Sequence, residues 1–454
     1  MDADHLPDQH ESVARRARRF RLAITVLVAL LAAVLAIYLV ATFSTRRLVL
    51  VQVEALRRAG QPVRSADLAP PPVADDQNAA VLYAQVASDA DSIDTQLRQA
   101  FGRHDLNDAF APPHRTLLHQ ILEQHDLTFQ KLEQAGRRPG CRFSINWSQP
   151  HRLLPHYAWM RAIVRALGYR AREQAQTGQA EAAYRSLAAS LQAARHLSRE
   201  PTLIGQLLRY ACSAISLRSL SLVIELTPPT PQQVRMLWPL LDGSDLPRGL
   251  SWALAGERAE VITIWATQPP AAVVAMIWGP SGPTKALGQV AATVGGPLYH
   301  LSMTHYLELM ARAVKGAALP PQQAQPALAQ VERDARAAPA YLPLAEILVP
   351  SFIRAREATD RAQSLLALAR WALALSLYQQ RHGRYPAQLS QAAALVPGPP
   401  GLDPVSGKLP IYRPLGKGYQ LYCLGPDGQD NGGQAGHGWD APDLVWPPPA
   451  RYSR

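Results

Sequence analysis

Cysteine is scarce in this chain, and so is charge. Of 454 residues, three are cysteine (Cys141, Cys212 and Cys423), and no pair has the spacing of a zinc site. An odd count without paired spacing also rules out a disulfide framework, leaving room for one bridge at most. Cys212 lies in an apolar helical run and reads as a small core residue. Only 18% of residues are charged, and the net charge is +11, with arginine far exceeding lysine. The arginines are scattered and form no basic block, which argues against nucleic acid as a partner. Catalytic signatures are missing too. Residues 279–285 fail the phosphate-loop pattern, and there is neither a G-x-S-x-G elbow nor an H-E-x-x-H run. His300, His305 and Glu308 share one helical stretch; His305 and Glu308, at i,i+3, could hold a metal, but no third ligand is identifiable, so they read as polar-face residues.

One long run is both apolar and free of charge. Arg15, Arg16, Arg18, Arg19 and Arg21 precede an uncharged apolar stretch, Leu22 to Phe43. Twenty-two residues at ~1.5 Å each make about 33 Å, enough to cross a bilayer core of ~30 Å. The run is too long for a signal-peptide core and has no small-residue cleavage site. It predicts a retained transmembrane helix, with the lipid bilayer as partner. The arginine cluster sets residues 1–21 in the cytoplasm and everything after Phe43 outside a bacterial inner membrane, in the periplasm.

Beyond the span, residues 44–75 end in Ala69-Pro70-Pro71-Pro72, a stiff-linker signal. Residues 76–350 read as an α-helical array. Ala79, Leu82, Tyr83 and Val86 recur at helical spacing, and Leu117, Ile121, Leu122, Leu127 and Leu132 continue the pattern. Met160, Ile163, Val164, Leu167 and Ala171 form one stripe, and Tyr184, Leu187, Ala188, Leu191 and Leu197 the next. The break at Thr177-Gly178-Gln179 is so short that the two helices must pack antiparallel. Pro201-Thr202 opens another helix, through Leu226, and Pro231 one more. Two short apolar runs follow, Val261–Trp265 and Val273–Trp278, neither long enough to span. Residues 297–314 read as helix and 316–326 as a proline-rich break.

Residues 351–454 form the last region. Ser351 is a plausible N-cap for a helix to His382, with Gly383 at C′ and Pro386 beyond. From Leu365 to Tyr378, 12 of 14 residues are apolar. A helix apolar all round must be covered on every side, so it should pack on the C-terminal strands and on the helical array at once. Asp403-Pro404-Val405-Ser406-Gly407-Lys408 reads as an Asx turn. Ile411–Arg413 and Tyr419–Leu424 read as strands, followed by a Gly/Asp loop and a short run, Leu444-Val445-Trp446. The fold class is therefore mainly α: a transmembrane helix, an extracytoplasmic helical array and a small α+β module of one long helix with short antiparallel strands.

From Trp371 to Trp446 the order of features resembles the globular C-terminal half of the major pseudopilin of type II secretion systems. Tyr378, Gly383, Tyr385, Pro386, Asp403, Pro404 and Gly407 carry the first part of that likeness. Tyr412, Tyr419, Tyr422, Gly425, Asp427, Gly428, Gly432, Gly433, Asp443 and Leu444 carry the second. The resemblance implies calcium at the loop after the last strands, with Asp427 and Asp443 as ligands. Asp430 and Asp440 join them from composition, because no Lys or Arg occurs between Lys417 and Arg451. Carboxylates gathered without basic partners either take up protons or recruit a cation. Calcium accepts several oxygens in loose geometry, and the spacing is not that of an EF-hand. The N-terminus departs from the pseudopilin pattern: no glycine precedes Phe20, and Ile24 stands where the glutamate would be. No prepilin-type cleavage is expected, and the likeness points to a small module reused in a larger anchored protein.

Three functions follow as expectations. The first is a scaffold or interaction protein of the envelope, with protein partners and a calcium-binding cap. The second is a membrane-tethered hydrolase with its site in the helical body. The third is a component associated with a secretion system.

Overall fold

A computed structural model describes residues 7–101, 110–149, 152–269, 295–339, 342, 352–436 and 441–448. Within these are thirteen α-helices and one small sheet. The chain divides into two compact units: residues 1–60, 264–308 and 338–348, and residues 61–263, 309–337 and 349–454.

In the first unit, α1 runs unbroken from Pro7 to Arg58. The expected span is thus the middle of a 52-residue helix, and the first part of the expected 44–75 linker is helical. The reason is local. Nothing between Phe43 and Arg58 breaks a helix, and Glu54 pairs with Arg57 (3.0 Å) and Arg58 (3.1 Å) in the last turn. Gly60, at φ 69°, follows. Gln52 of α1 donates to Glu308 Oε1 at 3.2 Å, and Trp265 Nε1 donates to His300 Nδ1 at 3.2 Å. His300 and Glu308 therefore already have partners.

In the second unit, α2 (Ala79–Gln85), α3 (Ala87–Phe101), α4 (Arg115–Glu123) and α5 (Asp126–Arg137) lead into the hairpin α6 (His156–Gln176) and α7 (Ala180–His196). Its expected stripes are buried, and Gly178 at φ 79° makes the turn. One stripe needs correction. Leu117 is 45% exposed and Leu127 74% exposed. Ile121, Leu122 and Leu132 face inward as expected, while Leu118 on α4 and Phe129 on α5 take the inward places expected of Leu117 and Leu127.

Then come α8 (Leu203–Leu226), α9 (Pro231–Leu237) and α10 (Leu246–Thr267). Thr202 Oγ1 caps α8 by accepting from Gly205 N at 3.1 Å. A Cβ at Gly256 would stand 1.8 Å from the Pro201 carbonyl oxygen, so α10 can approach the start of α8 only through glycine. Next are α11 (Gly296–Ala317) and α12 (Pro321–Arg336). The proline-rich stretch 316–326 is thus not a break throughout. Pro321 occupies the first turn of α12, where its missing N–H costs nothing.

The long helix, α13, spans Phe352–His382, with Gly383 at φ 68° behind it. It shares one core with α7, α8, α9 and the sheet, through Leu365, Trp371, Leu373, Leu421, Leu444 and Trp446 among others. A second core joins α2, α3, α5, α6, α7 and α8. The two-sided burial expected of α13 is observed, and Leu373 and Leu377 are both buried. The strands β1 (Ile411–Leu415), β2 (Gly418–Leu424) and β3 (Asp443–Trp446) pair antiparallel in the order β1-β2-β3. β1 and β2 are longer than expected, and their turn is only Gly416-Lys417, with Gly416 at φ 67°. All three cysteines are free. The expected features at Val273–Trp278, Ser351 and Asp440 lie outside the described residues.

Candidate functional site

Two places gather polar chemistry, and only the first was legible in the sequence. It is the loop between β2 and β3. Asp403 anchors the turn before the sheet. Its Oδ1 accepts from Val405 N (2.9 Å), and its Oδ2 from Ser406 Oγ (2.7 Å) and Leu424 N (3.3 Å). Trp371 Nε1 donates to Gly401 O at 2.9 Å, and Tyr412 Oη to Pro386 O at 2.8 Å. These bonds fix the sheet on α13 and so position the loop.

Within the loop the aspartates have separate fates. Asp427 is exposed and closes its own turn, accepting from Gln429 N (3.1 Å) and Asn431 Nδ2 (3.2 Å). Asp430 Oδ1 accepts from Tyr422 Oη (2.8 Å) and Gly432 N (2.9 Å), and these bonds hold its carboxyl below the usual range. Asp443 begins β3 and is fully buried. Its Oδ2 accepts from Gly433 N at 2.8 Å, whereas its Oδ1 has no hydrogen-bond partner. Burial lifts the Asp443 carboxyl above its ordinary range, and the charge of Asp430 adds to the lift. The structure thus brings Asp430 and Asp443 within electrostatic reach and leaves Asp427 in its own turn. Among the described residues no three Asp, Glu, His or Cys side chains converge.

The absence of basic residues between positions 417 and 451 does not carry over into space. Arg413 on β1 lies 3.7 Å from Asp430 Oδ2, with its guanidinium 5.8 Å from the Tyr422 ring centroid. Pairing of β1 with β2 brings it there, and an interval counted along the chain misses that.

The second place is a cleft of about 910 Å³ between α3, α6, α8 and α13. Asp94, on α3, is its most buried charge. Asp94 Oδ2 meets Arg98 and, at 3.2 Å, Arg165, while its Oδ1 has no hydrogen-bond partner. Burial, with Arg98 and Arg161 nearby, pulls the Arg165 guanidinium down to about 10. Nothing in the linear pattern marked this cleft, because its polar residues come from helices far apart in the chain. The nearest local signal is the spacing of Arg161 and Arg165 at i,i+4 on α6.

Elsewhere, ionisable groups are used structurally. Arg356 on α13 is fully buried and donates to Ala317 O and Leu319 O, both at 2.8 Å, and to Asp360 Oδ1 at 2.9 Å. It thereby ties the end of α11 to α13, where a cation suits the helix dipole. His196 Nδ1 faces Tyr83 Oη at 2.9 Å, and its Nε2 faces Arg138 O at 3.1 Å. Gln192 Nε2 also lies 2.9 Å from His196 Nε2, so both ring nitrogens are engaged. Comparison with protein-family models, curated proteins and solved structures finds no match for this chain.

Proposed function

We propose that this chain is a membrane-anchored scaffold of the bacterial envelope. In this reading α1 crosses the inner membrane with its N-terminus in the cytoplasm, and the helical body and sheet lie on the periplasmic side to receive protein partners. One observation carries it: the apolar middle of α1 is uncovered. Leu22, Val34, Ile37 and Phe43 are 64%, 64%, 69% and 70% exposed. An apolar surface of that extent is unfavourable in water and favourable in lipid. α8 is also long and apolar enough to cross a membrane, but 56% of its apolar window is buried. It is accounted for as a core helix.

The Gly/Asp loop is read as a calcium site of this scaffold. Asp443 supports that reading with a buried, unpartnered carboxylate oxygen, and Asp430 with a second carboxylate close by. The resemblance of residues 371–446 to the pseudopilin module supports it too. Asp443 and Asp430 would hold the ion first, with Asp427 and Asp440 as further candidates. Bound calcium would link the loop to β3 and stiffen the face that the sheet presents.

Topology is tested with reporter fusions after Arg454. Alkaline phosphatase there should be active. An inactive phosphatase with an active cytoplasmic reporter at the same point overturns the orientation.

A further inference from the structure

The cleft between α3, α6, α8 and α13 has two chemically different sides. Asp91, Asp94 and Arg98 line it from α3, and Arg161 and Arg165 from α6. The opposite side is apolar. Ile204, Leu207, Ala211 and Ala214 line it from α8, and Ala358, Ala362 and Leu365 from α13. Arg361 is the one charged residue on that side.

The cavity has a sequence cause. Ala158 and Ala162 on α6, Ala211 and Ala214 on α8, and Ala358 and Ala362 on α13 recur at i,i+3 or i,i+4, so each helix turns a small side chain to the same space. Leucines at those places would close it. Ile204 stays 60% exposed at its edge. The volume is within the range of small-molecule sites, and an apolar wall with a few placed polar groups is their usual lining.

We infer that this cleft binds a single-chain anionic amphiphile, with its negatively charged oxygens at the guanidinium groups of Arg98, Arg161 and Arg165 and its alkyl chain along α8 and α13. On the charged side, three arginines against two aspartates leave positive charge in excess. Asp94 is already met by Arg98 and Arg165, and the buried Arg165 Nε has no acceptor. An oxyanion supplies that acceptor and offsets the repulsion among the arginines. An anion without a tail would leave the apolar side wet, and a neutral tail would leave Arg165 unsatisfied. The segregation of the two chemistries therefore selects a ligand that has both. A fatty acid and a lysophospholipid with an anionic head share this chemistry.

The test is photolabelling of the full chain in dodecyl maltoside with a diazirine-bearing palmitate, followed by peptide mapping. Label should fall on residues 204–214 or 358–365. Unlabelled palmitate or lysophosphatidylglycerol should compete, and whichever competes at lower concentration identifies the source. Hexadecyltrimethylammonium, with the same tail and the opposite charge, should not compete, nor should inorganic phosphate. Arg161→Glu, at an exposed position, and Ala211→Trp, which fills the trough, should each cut the label at least tenfold. If Ala211→Trp fails to fold, Arg161→Glu decides. Label confined to residues 22–43, equal competition by the cationic amphiphile, or Arg161→Glu labelling at the level of the parent chain overturns the inference.

Discussion

The helical body and the C-terminal sheet both rest on α13, yet they treat buried carboxylates in opposite ways. In the body, Asp94 meets Arg98 and Arg165, and Asp360 meets Arg356. In the sheet region, Asp403 and Asp443 are met mainly by backbone N–H groups of Val405, Leu424 and Gly433. The difference follows from backbone accounting. Helix interiors use their N–H groups internally, so a carboxylate among helices is met mostly by side chains, a guanidinium at Asp94 and Asp360 and a phenol at Glu200, with helix-start N–H groups such as that of Ile353 as the backbone exception. Loops and turns have N–H groups to spare, and glycines let them point inward. Asp443 keeps one oxygen without a hydrogen bond, as Asp94 and Asp360 in the body also do.

The largest expected effect lies at an ion pair of the body. Arg356→Met leaves Asp360 buried without its cation and should destabilise the protein by about 3–5 kcal/mol. Urea unfolding measures this, and the double variant Arg356→Met/Asp360→Leu should recover most of the loss. A single variant that unfolds with the parent chain would mean that body carboxylates need no guanidinium. Leu373→Ala, in the core shared by α13, α8 and the sheet, should cost on the order of 2–5 kcal/mol. Loss of the sheet alone, with the helical signal unmoved, would show that the two regions are held separately.

Titration separates the groups further. Burial pulls the His196 imidazole down to about 4, outweighing the carbonyl of Arg138. The unfolded chain takes up that proton first, near pH 6.5. The stability contributed by neutral His196 is thus whole above pH 6.5 and is lost toward pH 4, on the order of 3 kcal/mol. Asp360 has the opposite sign. Burial pushes its carboxyl up to about 6, against the pull of Arg356. The folded state holds a proton that the unfolded state releases, so this contribution grows as pH falls from about 6 to 3.8. In melts across pH 4–7, His196→Gln should flatten the acid loss and Asp360→Asn should steepen it. A variant that leaves the profile unchanged would remove its residue from the pH response.

The smallest effect belongs to the loop. With a Kd near ~10 μM, ~1 mM calcium should stabilise the fold by about 2.7 kcal/mol, as RT ln(1 + [L]/Kd). The full chain is the right sample, because α13 is covered by the helical body as well as by the sheet. Asp443→Asn should melt close to the parent in chelator and lose the calcium shift. Equal midpoints with calcium and chelator would remove the site and leave Asp443 a buried acid with no ion to meet.

Much of this was readable in the chain. The α6/α7 hairpin, the start of α8 at Thr202, the end of α13 at Gly383 and the Asx turn at Asp403 all rest on local rules. Stripe spacing, cap chemistry and positive-φ glycine act within a few residues, so a linear pattern reports them. Leu127 was misplaced because α4 ends at Glu123 and α5 starts afresh at Asp126, so the inward face of one does not continue into the other. Arg413 was missed because strand pairing, not proximity in the chain, brings it to Asp430.

By itself the sequence determined the α6/α7 turn, the start of α8 and the end of α13, which stretch suits a bilayer, and that α13 must be covered all round. The tertiary structure alone decided what covers each apolar surface and which charges meet. α1 and α8 are both long and apolar enough to cross a membrane, yet more than half of the apolar window of α8 is buried, in two cores, while that of α1 is bare. Arg356 finds Asp360 one turn away but also the carbonyls of Ala317 and Leu319, and the cleft arginines meet Asp94 from two helices. Burial and ion pairing depend on distances between segments far apart in the chain, and those distances exist only once the helices have packed.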